Sequence, residues 1–239
     1  YRRNPYLQLD RLRAAEPVHR SDALQAWILT SYEDVLRVLR DHETFSSDAR
    51  NAGGQIAAAI AEQRTNSPLG DTRSVLASDP PEHTFLRGIV NRAFTPRSVE
   101  ALRPRMQAIT DELLAAAAET GEWDLMTGLA QPLPVIVIAE LLGIPAEDRA
   151  QFKAWSDHIA LTTDIMQSPE TIESIRVATA ELIAYFEGHI ADRRAQPRED
   201  LISALVLAEN EGRRLNGQEV MAFAILLLVA GNETTTNLI

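Results

Sequence analysis

The sequence predicts a mainly α-helical domain, and three observations carry that reading. Apolar residues recur at helical spacing over most of the 239 residues, the periodic segments open on Ser, Asp or Pro and close on Gly, and only one short stretch reads as a hairpin. Hydrophobic residues make up 45% of the chain, enough for a packed core and too many for a disordered sequence. No internal repeat and no shift in composition marks a second domain, so 1–239 is read as one domain.

The elements follow in chain order. Residues 2–15 form a short helix with Leu7, Leu9 and Leu12 as its apolar positions. Residues 18–30 form a hairpin, because SDALQ separates VHR from AWILT. Ser31 N-caps a helix through Arg40 whose apolar face is Val35, Leu36 and Leu39. Over 45–77 Gly, Ser, Asn and Asp dominate, with a helical turn or two at 56–61; loops of this length are usually functional or mobile. Asp79 is a good N-cap, Pro80 suits the first helical position and Glu82 completes a capping box, for a helix to about Ala93. A long Ala-rich helix runs from Pro96 to near Gly121, and a strand is expected over 123–129. A helix over 132–142 stops at Gly143 and Pro145. Helices over 146–160, 169–195 and 199–209 follow, and the last begins near Gln218.

Bulk chemistry removes several function classes. A net charge of −11 and a pI near 4.9 argue against nucleic acid as a main partner. No cysteine is present, which excludes disulfides, thiolate metal sites and Cys nucleophiles from this chain. The start, YRRNPYLQLD, is not a signal peptide, and the most apolar run, 223–230, is too short to span a bilayer. A soluble cytoplasmic protein without a membrane partner is therefore expected. The chain opens on Tyr1 rather than Met and stops inside an apolar helix, so both ends look cut.

Two stretches carry candidate chemistry. In DPPEHTFLR, His83 and Arg87 stand at i and i+4 and share a helix face. Such a pair of donors can hold a carboxylate or phosphate, with Arg binding bidentately; the plainer reading is an Arg paired with a nearby acid on a solvated surface. In LLLVAGNETTTN, Ala230 and Thr234 share a face that Gly231 borders, so a flat group could approach the backbone there. The Thr234 hydroxyl can bond back to the Ala230 carbonyl, and Glu233 beside it would make a short proton path if both were partly buried. The plainer reading makes Gly231 and Asn232 a C-cap where the helix ends. Spacing alone leaves both pairs of readings open. Elsewhere Trp27, Trp123 and Trp155 read as core or half-buried, His42, His158 and His189 have no partner at metal-ligand spacing, and GHIADRRAQPRED reads as a solvated helix end.

The two stretches, in this order and separation, resemble the cytochrome P-450 family of haem-thiolate monooxygenases, the soluble bacterial members most closely. DPPEHTFLRGIVNRAFTP looks like the family's C-helix signature, AGNETT like the oxygen-binding motif of its I helix, and GEWDLMTGLAQPLPVIVIAELLGIP like the segment between them. The resemblance covers the whole chain and implies the N-terminal part of the family's fold, helices A to I with a small β region. It implies haem b (iron protoporphyrin IX) as cofactor, with His83 and Arg87 on its propionates and Ala230 and Gly231 giving the helix clearance over the ring. It implies that Thr234 hydrogen-bonds dioxygen and that Glu233 helps deliver protons for O–O cleavage. Leu226 and Val229 would border a small apolar substrate, with Val75 and Leu76 approaching from a lid over 45–77; 159–171 would be the F–G region opposite. Hydroxylation or epoxidation would draw electrons from NAD(P)H through ferredoxin reductase and ferredoxin, with Arg92 and Arg97 as a possible docking patch. The family's Glu and Arg of the K helix and its Cys ligand lie downstream of these motifs. This chain is therefore expected to be incomplete at its C-terminus, to hold no metal ligand and to be inactive alone. The alternative is a non-catalytic helical scaffold or ligand-binding module.

Overall fold

The computed structural model describes residues 4–53, 57–58, 61, 69–161, 168–210 and 212–239. Helix α1 (Tyr6–Ala15) leads into the antiparallel hairpin β1 (Val18–Ser21) and β2 (Ala26–Leu29), in which Val18 faces Leu29 and Ser21 faces Ala26. Helix α2 (Tyr32–Arg40) begins where expected, because the Ser31 hydroxyl accepts the Asp34 amide at 3.1 Å. Then come α3 (Glu82–Ala93), α4 (Pro96–Ala101) and α5 (Arg103–Thr120). After a π-helical turn (Met126–Ala130) follow α6 (Pro132–Leu141), α7 (Arg149–Ala160), α8 (Pro169–Ala195) and α9 (Leu201–Leu207). A two-residue-per-strand hairpin, β3 (Glu209–Asn210) and β4 (Arg213–Arg214), precedes the last helix, α10 (Gly217–Leu238). The architecture is mainly α, as the sequence predicts, and no helix among the described residues is long and apolar enough to cross a membrane.

The core lies where the most apolar segments meet. Helix α6 reads PLPVIVIAEL and is apolar almost all round, so it sits inside the bundle against α5, α7 and α10. Helix α8, roughly 40 Å long at 1.5 Å per residue, lays Ala178, Leu182, Phe186 and Ile190 along α7, α9 and α10. Its Phe186 meets Phe152 of α7 edge-to-face, with ring centroids 6.3 Å apart. Both rings are fully buried, and each contributes on the order of 1.5–3 kcal/mol of transfer free energy. By contrast, α1, β1, β2 and α2 contain no buried residue.

Several local expectations are corrected. The helix from Pro96 is two helices: Pro104 has no amide hydrogen to donate back and sits in the first turn of α5, with Leu102 at the junction. The strand expected over 123–129 is a helical turn instead. The Asp124 carboxylate accepts the Thr127 amide at 2.8 Å, which starts a turn. The segment expected over 199–209 shortens to α9, capped by Asp200, and the β3–β4 hairpin was not foreseen. Asp79 does not cap α3; its carboxylate holds the Ser46 hydroxyl, the Ser47 amide and the Asn51 amide side chain, so the helix starts at Glu82. Trp27 and Trp123 are 65% and 40% exposed, and only Trp155 is core. Most of the turn expected at 56–61, and 162–167 of the F–G region, lie outside the described residues.

The largest correction concerns GHIADRRAQPRED. Arg193 is 2% exposed and Asp200 5%, with Nε donating to Oδ2 at 2.5 Å. Arg193 also donates to Asp192 at 2.6 Å and to the Gly143 carbonyl at 3.1 Å. Gly143 has φ +73°, and a Cβ there would collide with the Asp200 carboxylate. Most of the run is solvated as read, but within it Arg193 and Asp200 form an internal ionic joint between α8, α9 and the end of α6, because tertiary contacts place their partners within reach.

Candidate functional site

The decisive local fact is that α10 does not end at Gly231. It continues to Leu238, and the Ile239 amide still donates to the Thr235 carbonyl at 3.2 Å, so the C-cap reading fails. The AGNETTT run then divides between two faces of one helix. On one face Leu226 and Ala230 look into an open cleft. On the other, Asn232 is buried and its Nδ2 donates to Ser156 Oγ of α7 at 2.7 Å. The Thr236 hydroxyl on that side donates to the Ala130 carbonyl at 3.0 Å.

Gly231 belongs with the bundle side. A Cβ there would stand 2.9 Å from Ile138 Cδ1 of α6, so the missing side chain gives clearance for helix packing, and Gly231 is not among the residues lining the cleft. Val229 likewise packs against the core and does not line the cleft. Thr234 stands one turn beyond Ala230, and its hydroxyl donates to the Ala230 carbonyl at 2.6 Å, the back-bond anticipated from spacing. Glu233 and Thr234 are both exposed, so the partial burial that a protected proton path needs is absent from this chain's own packing.

The cleft has a volume of about 520 Å³, within the range of small-molecule sites of roughly 300–1,000 Å³. Val75, Leu76, Leu226 and Ala230 supply apolar wall, and Arg87, with the His83 ring nitrogens beside it, supplies an edge of hydrogen-bond donors. Helix α3 presents that edge because it buries Leu86 and Ile89 on its other side against α9. Neither His83 nor Arg87 has a side-chain hydrogen bond or ion pair among the described residues; Asp79 lines the same cleft, but its carboxylate is engaged by Ser46, Ser47 and Asn51, so the surface-pair reading of Arg87 finds no ion pair. The Ser78 hydroxyl also lines the cleft, is buried and has no hydrogen-bond partner. A buried unpartnered hydroxyl costs about 1–3 kcal/mol, a cost a ligand's acceptor would remove. Sequence reading missed Ser78 and also Arg40 at the end of α2, which reaches the same cleft; neither stands in a motif, and only tertiary adjacency singles them out.

An apolar slot with an unpartnered donor edge fits a flat apolar ring that carries carboxylates. Haem fits in that respect: its acidic edge would meet His83 and Arg87, and its face would meet Ala230. No cysteine is present among the 239 residues, so an axial thiolate is not supplied from within them.

The comparisons with known proteins point the same way. The family model described as Cytochrome P450 matches residues 24–239. The chain is 43% identical over 242 residues to the cytochrome P450 monooxygenase PikC of Streptomyces venezuelae, covering 99% of this chain and 54% of that protein. It is 41% identical over 232 residues to the erythromycin C-12 hydroxylase of Saccharopolyspora erythraea, covering 97% of this chain and 55% of that protein. Among solved structures, the cytochrome P450 PksS of the Bacillus subtilis 168 bacillaene polyketide synthase superposes with a TM-score of 0.83 at 38% identity, over 98% of this chain and 57% of that one. The chain thus spans a little over half the length of the relatives it matches.

Proposed function

The chain belongs to the cytochrome P450 family, and from that premise we propose that the whole protein is a haem-dependent monooxygenase acting on a small apolar molecule. One observation carries the reading: unpartnered His83 and Arg87 on α3 face the same cleft as Leu226 and Ala230 on an unbroken α10. Hydroxylation or epoxidation is the expected outcome, in line with relatives named as a hydroxylase and as an epoxidase. Electrons come from NAD(P)H through ferredoxin reductase and a ferredoxin, in the cytoplasm. The thiolate ligand comes from a part of the protein outside this chain.

Bound haem supplies the activation of O₂. This chain's residues bind, orient and exclude water. Arg87 and His83 would hold the haem's carboxylate groups, Arg87 through charge-assisted hydrogen bonds and His83 through a ring N–H. Ala230 has only a methyl group on the cleft side, so the ring can lie close to α10. Leu226 and Val75 give the cleft an apolar wall, and Leu76, 71% exposed in this chain, would join it once covered, which favours an apolar substrate by area burial. In the present rotamer the Thr234 proton is committed to the Ala230 carbonyl, so its oxygen keeps lone pairs with which to accept. Thr234 therefore acts as an acceptor that orients a proton donor, with Glu233 as the neighbouring source once the rest of the protein covers this face. Gly231 serves this arrangement indirectly, by letting α10 seat against Ile138.

The full-length protein tests the reading directly. Reduced and treated with carbon monoxide, it should show the red-shifted Soret band of thiolate-bound haem, and its absence would sink the proposal. In Thr234→Ala, product formed per electron consumed should fall; an unchanged ratio removes the proton-orienting role.

A further inference from the structure

We infer that Arg213, on the β3–β4 hairpin, is a positioning residue that sets where α3 presents His83 and Arg87; the inference rests on the haem reading above. Arg213 Nη1 donates to both carboxylate oxygens of Glu82, at 2.8 and 3.0 Å, and Nη2 donates to Glu219 Oε1. Glu82 is the first residue of α3 and the sequence neighbour of His83. Glu219 is in the first turn of α10, only 6% exposed, and its other oxygen accepts the Asn216 amide at 2.8 Å to close the helix's capping box. The guanidinium also lies 4.0 Å from the ring centroid of Phe85, one α3 residue further on from Thr84.

One planar fork thus joins the N-termini of the two helices that wall the cleft. Helix α3 is otherwise fixed through its buried face, Leu86 and Ile89, and at its far end, where Arg92 Nη1 donates to the Glu209 carbonyl of β3 and Phe94 meets Phe223 of α10 edge-on at 6.1 Å. A rod held at its far end and along one side can still turn about its own axis, and that rotation moves the His83–Arg87 face relative to Ala230. Arg213 opposes it at the end where His83 sits. The geometry needs Arg rather than Lys, because two carboxylates on two helices must be met by separate nitrogens of a rigid group. Arg214, next along the hairpin, pairs only with Glu209 at 3.0 Å and touches neither helix through that contact.

The experiment uses the full-length haem protein and follows transfer of haem to an excess of a competing haem-binding protein. Arg213→Gln should lose haem roughly tenfold faster, the equivalent of about 1.4 kcal/mol, and Arg214→Gln should stay within about twofold of the wild type. Glu82→Gln leaves the Glu219 contact in place and removes only the tie to α3; it should reproduce the Arg213→Gln rate, and it stands as the test if Arg213→Gln does not fold. A positioning role predicts that the effects in the double variant Arg213→Gln/Arg87→Gln combine to clearly less than their product, because Arg213 then acts through His83 alone, whereas a general loss of stability predicts that the two effects multiply. Unchanged rates in both Arg213→Gln and Glu82→Gln, or multiplying effects, overturn the inference while leaving the haem reading intact. A wild-type protein that holds no haem overturns the haem reading itself.

Discussion

Two polar regions of this molecule use the same residue types to opposite ends. At the joint of α8 and α9, the Arg193 and Asp200 side chains are buried, and each guanidinium nitrogen and each carboxylate oxygen meets a partner: Asp192, the Gly143 carbonyl and the Ser203 amide complete the set. At the cleft, His83 and Arg87 have no side-chain partner among the described residues, and the Ser78 hydroxyl is buried without one. A satisfied polar cluster defines a fold, since removing any member strands the others in low dielectric. An unsatisfied one leaves interaction capacity for a ligand. What separates structure from site here is the state of the hydrogen-bond inventory, not the presence of charge.

The contrast can be broken most severely at the joint. Asp200→Ala leaves the Arg193 guanidinium buried and unpaired from its closest carboxylate, and should cost about 3–5 kcal/mol, read as a lowered midpoint in thermal or denaturant unfolding. A loss under about 1 kcal/mol would make the joint no different from a surface pair. Its pH dependence sharpens the same point. Burial works against the Asp200 carboxylate, but hydrogen bonds from Arg193 and Ser203 outweigh it and hold its pKa below the ordinary value of 3.8. A depressed folded-state pKa gives stability that is present above the unfolded value and is lost as pH falls through the folded one. Stability should therefore decline as pH drops below about 4, and an Asp200→Asn variant, measured across the same range, should show a flatter acid limb.

A smaller effect is expected where α10 turns its polar face to the bundle. Asn232→Leu strands the buried Ser156 hydroxyl and should cost about 1–3 kcal/mol in unfolding free energy. The smallest effect on stability belongs to the cleft. Arg87→Gln removes no contact made within the described residues, so unfolding should shift by no more than about 0.5 kcal/mol. Haem retention by the full-length protein should fall in the same variant. A large stability loss with unchanged haem retention would reverse the assignment and return Arg87 to the fold.

Individual residues show how far sequence reading went. Ser31, Ser168, Gly121 and Gly143 mark helix ends through local chemistry, a hydroxyl accepting an amide or a positive φ, and each lies where the pattern put it. The site stretches DPPEHTFLR and LLLVAGNETTTN were likewise legible, since helical spacing alone puts His83 with Arg87 and Ala230 with Thr234. Two of the errors turn on partners distant in the chain: Asp79 has the profile of an N-cap but holds Ser46 and Ser47, and Arg193 has the profile of a solvated residue but is buried with the Gly143 carbonyl among its partners. The strand expected over 123–129 failed locally, because Asp124 accepts the Thr127 amide and starts a helical turn.

The sequence by itself therefore determined the helical class and most element boundaries, because these follow from periodicity and capping within a few turns of chain, and its two motif stretches carried the resemblance to the family. The tertiary structure alone decided which face of α10 each polar residue occupies. It assigned Gly231 to Ile138, Asn232 to Ser156 and Ala230 to the cleft. It also decided that Arg213 bridges α3 and α10. The physical reason is common to all of these: a side chain's role depends on whether packing brings it a partner, and those partners stand between 6 and 131 positions away.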